Sequence, residues 1–163
     1  MPLETEKLQQ ALTKAFDDFI ATFSGFDESR MNSTPIPGKW TPVQVALHII
    51  LATDGVPDNS TGKPDRQVDS YLPRIRPWWD DLNQKFHAPE TLKPDDRPRS
   101  KDEVLAELQR VRQKDLAILT NEDLTLVCLD LELPTIGYLT RYEWLWFIEM
   151  HLKRHTFQLR NML

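Results

Sequence analysis

The sequence predicts an all-α fold, a four-helix bundle occupying 1–163 as one domain, and three observations predict it. Apolar residues recur at helical spacing in long segments near both ends of the chain. Three N-terminal capping boxes, Thr41-Pro42-Val43-Gln44, Ser100-Lys101-Asp102-Glu103 and Thr140-Arg141-Tyr142-Glu143, each open such a segment. Little of the chain alternates apolar and polar residues as a half-buried strand does. Long helices that each carry an apolar stripe bury it against one another, which is the logic of a bundle. A shorter, irregular helical segment is expected in the middle.

The first helix is carried by Leu8, Ala11, Leu12, Ala15, Phe16, Phe19, Ile20 and Phe23, with Gly25 as its stop. A loop follows through Ser33-Thr34-Pro35-Ile36-Pro37-Gly38. Thr41 then caps the second helix, with proline at its first helical position. That helix is apolar on nearly every side, which marks it as central and buried, and Gly55-Val56-Pro57 should end it. Gln67 to Lys85 looks largely helical, although Pro73 and Pro77 must break or kink it. His87 to Arg99 is proline-rich and aperiodic, so it reads as a connection. Ser100 caps the third long helix, whose inner side is Val104, Leu105, Leu108, Val111 and Leu119. Thr140 caps the last. There is no internal repeat and no low-complexity stretch.

Length and composition bound the function. A chain of 163 residues can bury a sizeable core, and 28% charged beside 40% hydrophobic residues is ordinary for a globular protein. A formal net charge of −5 argues against nucleic acid as a partner. No apolar stretch is long enough to cross a membrane, so no membrane role is expected. The first residues, Met1 to Lys7, lack the basic region and apolar run of a secretion signal. Cys128 is the only cysteine, which excludes an internal disulfide and makes a reducing cytoplasm the expected setting.

The last helix carries His151 and His155, and residues at i and i+4 share one helical face with Cβ atoms roughly 5–6 Å apart. Two imidazoles so placed can grip one divalent cation. Trp144 is centred on the same face, flanked by Phe147, Ile148, Leu159 and Met162, so both histidines point into the core. On the second helix His48 shares its face with Gln44, Leu47 and Leu51. An imidazole buried without a partner costs about 1–3 kcal/mol, and metal ligation removes that penalty for one ring nitrogen. If the two helices are neighbours, three imidazoles converge and leave one coordination position open, the ligand count of a catalytic-type site. The alternative is that each histidine is separately hydrogen-bonded, and spacing alone does not bring His48 to the other two. A three-histidine site should lose metal below about pH 6, because a free imidazole titrates near ~6.5.

The stretch from Thr140 to Leu159 resembles the final helix of the DinB-like superfamily, which includes the YfiT-type metal-dependent hydrolases. The hallmark there is a histidine, three intervening residues, a second histidine and then Gln-Leu, matched here by His151, His155, Gln158 and Leu159. Gly38-Lys39-Trp40-Thr41-Pro42 followed by His48 resembles the family's approach to its second helix and its first ligand, and Ala88 to Pro94 is similar to a connecting segment of one branch. The resemblance implies an antiparallel four-helix bundle, up-down-down-up, with a divalent metal at one end held by His48, His151 and His155. It also implies a small-molecule substrate, acted on by a metal-dependent hydrolase or by a thiol S-transferase using a low-molecular-weight thiol, and a homodimer. Zinc or nickel is the expected metal and iron the next, since imidazoles suit zinc, nickel, copper and iron alike. No general base is identifiable, so the alternative is a non-catalytic metal- or small-ligand-binding bundle protein, and a third reading is a structural bundle whose histidines only pack.

Other residues carry weaker signals. His87 lies in the proline-rich connection and should be solvated. Gln44 could line a pocket or simply complete its capping box. Arg154 points roughly 100° away from His155 and is expected at a surface or interface. Asp115 falls near the inner side of the third long helix, where a buried acid or a polar bundle end would each explain it. Trp78, Trp79, Trp144 and Trp146 are read first as core packing, then as subunit contact or pocket wall. Cys128 reads as a buried hydrophobe. There is no Ser-His-Asp order, no glycine-rich phosphate loop and no usable carboxylate pair.

Overall fold

The computed structural model describes residues 3–34 and 36–163. Its helices are α1 (Thr5–Ser24), the single turn α2 (Glu28–Met31), α3 (Pro42–Thr53), α4 (Leu72–Trp79), α5 (Lys101–Asn121) and α6 (Arg141–Arg160). A short 3-10 helix covers Glu90–Leu92. Two-residue strands, β1 (Thr61–Gly62) and β2 (Val127–Cys128), pair antiparallel with Thr61 opposite Cys128. No helix among the described residues is long and apolar enough to cross a membrane.

The capping signals place the helix starts. Thr41 accepts a hydrogen bond from the Gln44 main-chain N–H, and the Gln44 side chain accepts one from the Thr41 N–H. Thr140 and Glu143 do the same at α6, whereas Ser100 makes only the forward bond, to the Glu103 N–H. Each such bond satisfies an N–H that the helix itself cannot. Glu143 does more than cap. Its carboxylate, fully buried, takes a two-pronged bond from Arg66 (2.7 and 2.9 Å) and a third from the Tyr71 N–H at 2.7 Å. One acid thus pins the segment before α4 to the start of α6.

Polar contacts at the two ends fix the helix directions. At one end Lys101, opening α5, donates to the Ser24 carbonyl closing α1, and Arg30, just past α1, donates to the Met162 carbonyl past α6. The start of α3 lies there too, since the Gln44 amide donates to the Asp95 carbonyl ahead of α5. At the other end Arg141, opening α6, donates to Asp58 beyond α3 and to the Asp123 carbonyl beyond α5. So α1 and α6 run one way and α3 and α5 the other, which is up-down-down-up in chain order. Both α1 and α3 pack against α5 and α6. The core between them is built from Phe16, Phe19, Phe23, Leu8 and Leu12 of α1 with Val45, Ile49, Leu108, Val111 and Leu145.

Two expectations need correcting. The helix read over Gln67 to Lys85 is only α4, with Pro73 in its first turn and Pro77 inside it. Pro77 cannot donate to the carbonyl four residues back, and α4 ends two residues after it. The helix buried on all sides is α6, where every residue from Arg141 to Leu152 is buried, rather than α3, whose Leu51 is 48% exposed. The α6 sequence hides this because Arg141, Glu143, Glu149 and Arg154 are all inside. The chain leaves α3 through Gly55 at φ 78, where its N–H donates to Asp115 at 3.0 Å. That left-handed backbone favours glycine.

Candidate metal centre

Because α3 and α6 are packed antiparallel, the middle of α3 faces the second half of α6. His48 therefore meets His151 and His155, and their ring centres lie 4.8–5.0 Å apart. One nitrogen from each ring falls within 4.8 Å of the others, and His48 Nε2 is 3.0 Å from His151 Nε2. His48 and His151 are buried, and His155 is half-buried.

Hydrogen bonds on the far side of two rings set their tautomers. His48 Nδ1–H donates to the Leu92 carbonyl at 2.8 Å, and His155 Nδ1–H donates to Gln158 Oε1 at 2.7 Å. Each bond leaves the Nε2 lone pair free, which is how outer partners orient metal-binding imidazoles. With its own proton on Nδ1, His48 Nε2 accepts from His151 Nε2–H, so these two nitrogens share a proton where they could share a cation.

Burial pushes the titration of all three imidazoles down. It is the largest cause for each: His151 falls well below the usual value and His155 falls to about 4, with the neighbouring rings adding to the effect. The rings are thus neutral, as ligands must be. The lowered values move the expected onset of proton competition below the pH ~6 that a free imidazole would set.

The donor set fits a divalent cation. Two imidazole nitrogens on one tetrahedral zinc at ~2.0–2.1 Å lie about 3.3 Å apart. The 3.0 Å separation of His48 and His151 is close to that, and the 4.8 Å limit leaves a small inward movement to make. No carboxylate joins the three histidines among the described residues.

Aromatic rings wall the cluster. Trp40 lies 5.2 Å from His48, and Trp79 sits edge-on to His151 at 5.1 Å. Phe147 touches Trp79 at 4.5 Å, and Phe86 stacks on the other rings' outer partner, Trp79, at 4.7 Å.

Other sequence candidates separate cleanly. His87 is exposed and outside the cluster. Gln44 is used by its capping box and the Asp95 carbonyl. Cys128 is buried, with its thiol pushed up to about 12 by burial, so it is no thiolate nucleophile. Asp115 is fully buried and burial pushes its carboxyl up to about 8, but it holds Gly55 rather than the histidines. Trp78 is 58% exposed and is not core.

Arg154, expected at a surface or interface, is buried within the chain, with its guanidinium on the main-chain carbonyls of Trp78, Trp79, Asp81 and Gln84. Its helical angle does turn it away from His155, but the end of α4 occupies that side. The Leu92 carbonyl was missed as well, because every residue carries one. Gln158 was visible as part of a motif, though not as the partner of His155.

Comparison with known proteins agrees with this arrangement. A family model described as the DinB superfamily matches residues 11–159. The solved structure of YfiT from Bacillus subtilis, titled "a probable metal-dependent hydrolase with an unusual four-helix bundle topology", superposes with a TM-score of 0.59. The match covers 99% of this chain and 90% of that one at 16% sequence identity, and is therefore a likeness of fold. No curated protein matches the chain.

Proposed function

This chain belongs to the DinB superfamily, and from that premise we propose that it is a single-domain, divalent-metal-dependent enzyme acting on a small molecule through His48, His151 and His155. The observation that carries the reading is the convergence of three neutral imidazoles, two of them oriented from behind by Leu92 and Gln158. A cation bound there supplies a Lewis acid, able to lower the pKa of water toward ~7 or to hold a thiolate. The protein's part is to keep the Nε2 lone pairs of His48 and His155 aimed inward beside the His151 ring, to hold all three rings neutral, and to wall them with Trp40 and Trp79. Zinc or nickel suits three imidazoles, with iron next.

Within this reading the reaction is a hydrolysis or the transfer of a low-molecular-weight thiol, and the working form is a cytoplasmic homodimer. A second reading, a non-catalytic metal- or small-ligand-binding bundle, is favoured by one observation: among the described residues no carboxylate joins the histidine cluster to serve as a general base. Elemental analysis of tag-free protein purified without chelator, followed by assay of the zinc- and nickel-loaded forms on simple esters, amides and thiol–acceptor pairs, separates the two. Stoichiometric metal with turnover supports the enzyme, and metal without turnover supports the binder. Protein that takes up neither these ions nor iron overturns the enzyme reading and the metal-binding form of the second.

A further inference from the structure

Arg154 is 9% exposed, one residue before His155. Its two terminal nitrogens are taken by main-chain oxygens rather than by a carboxylate, while Nε is buried without a partner. Nη2 donates to the carbonyls of Trp78 (3.1 Å), Trp79 (3.1 Å) and Asp81 (2.9 Å), and Nη1 donates to that of Gln84. These oxygens belong to the end of α4 and the segment after it, where the helix has no further N–H groups to offer them. The guanidinium carbon is 5.1 Å from the centre of Trp79 and 4.7 Å from that of Phe86, and the two rings stack 4.7 Å apart. Both separations put the cation within cation–π reach of the stacked rings.

Trp79 also reaches the histidines, lying 5.1 Å from His151 and edge-on to it. The contacts close a loop that starts and ends on α6: Arg154 holds the carbonyls of 78–84, these place Trp79, and Trp79 abuts His151. The Arg154 clamp is not needed to form α6, which has its own cap, nor to close the core of α1, α3 and α5.

The geometry points to Arg154 as a positioning residue of the three-histidine site, which acts through Trp79 to fix the His151 ring and to close that flank to water. Its metal-dependent half rests on the function proposed above; the placement of Trp79 over His151 does not. A lysine keeps the charge but cannot hold several carbonyls in the plane of a fork.

The test uses the full-length, chelator-treated protein and the rate at which diethyl pyrocarbonate modifies His151, measured by peptide mass spectrometry relative to the exposed His87. Arg154→Lys should raise the His151/His87 ratio about tenfold, and Trp79→Leu should raise it at least as much. The double variant should equal Trp79→Leu alone. Zinc affinity should follow the same order, weakening about 10–100-fold, the usual effect of losing an outer-shell support. Val111→Ala, a core change matched for loss of stability, should leave the ratio unmoved. Arg154→Gln provides a second variant in case the lysine form loses its helical circular dichroism.

A ratio and an affinity both within about twofold of wild type in a folded Arg154 variant overturn the proposal. An Arg154→Lys effect that persists in full on the Trp79→Leu background also overturns it, since Arg154 would then act on the histidines directly. Should wild-type protein bind no zinc, the proposed metal function falls while the modification ratio still decides the role of Arg154.

Discussion

Proton competition at the three histidines can be worked out from their burial. A free imidazole with pKa ~6.5 is mostly protonated at pH 5, so proton competition weakens each metal–nitrogen bond about 30-fold and a three-ligand site on the order of 10⁴-fold. His155 in the folded protein titrates at about 4. At pH 5 the factor for that ring is then only about 1.1. His151 and His48 are displaced in the same direction by the same cause, desolvation. The folded site should therefore keep its metal far into acid. Zinc Kd should change by far less than that ~10⁴-fold between pH 7 and pH 5. The assay is competition against a chromophoric chelator at each pH, with circular dichroism recorded on the same samples to show that the fold persists. A weakening of a hundredfold or more by pH 5 in fully folded protein refutes the reasoning, because the rings would then be titrating as solvated imidazoles.

Four further outcomes follow from particular contacts. His48→Ala and His151→Ala should each abolish stoichiometric zinc binding while His87→Ala retains it, and equal loss in all three by elemental analysis would show the site to be misplaced. Chelation should leave the helical signal intact, because the core of α1, α3, α5 and α6 closes without the histidines; unfolding on chelation would contradict this. Glu143→Gln should lower stability by about 3–5 kcal/mol in urea titrations, since it breaks a buried ion pair and turns an amide N–H₂ toward Arg66 and the Tyr71 N–H; a loss under 1 kcal/mol would speak against it. Asp115 has a folded pKa of about 8 against 3.8 unfolded, so its penalty is absent below 3.8 and grows as pH rises toward 8. Asp115→Asn should thus gain at least about 2 kcal/mol at pH 8 and nothing at pH 3.5.

The parts of this molecule legible in the sequence are those whose cause is local. Thr41, Ser100 and Thr140 announce helix starts because a cap bond spans only three residues. The face shared by His151 and His155 follows from helical geometry alone. That His48 joins them does not, since it depends on which helices become neighbours, and only the resemblance supplied it in advance. Arg154 shows the limit most clearly: a helical angle gives a direction from its own axis and says nothing of what stands there. The excess length read into α4 has a related source, because Gln67 to Lys85 has helix-forming residues but its prolines and the pull of Glu143 on Tyr71 shape it otherwise.

The separation of the ligands along the chain has a consequence for how the protein is made. His48 and His151 lie 103 residues apart, and α6, buried on every side over its first twelve residues, is synthesised after the other described helices. At a translation rate of ~5–20 residues per second, about 5–20 s pass between the two histidines leaving the peptidyl-transferase centre. Through that interval the apolar faces of α1, α3 and α5 have no central helix to close on, and a nascent chain would be at its most adhesive. A metal ion present in the cell finds only one of its three imidazoles during this time and has nothing to chelate. On the proposed reading, loading waits until α6 has been made, and a ribosome-bound fragment ending before Glu149 should bind no more zinc than its unfolded sequence does.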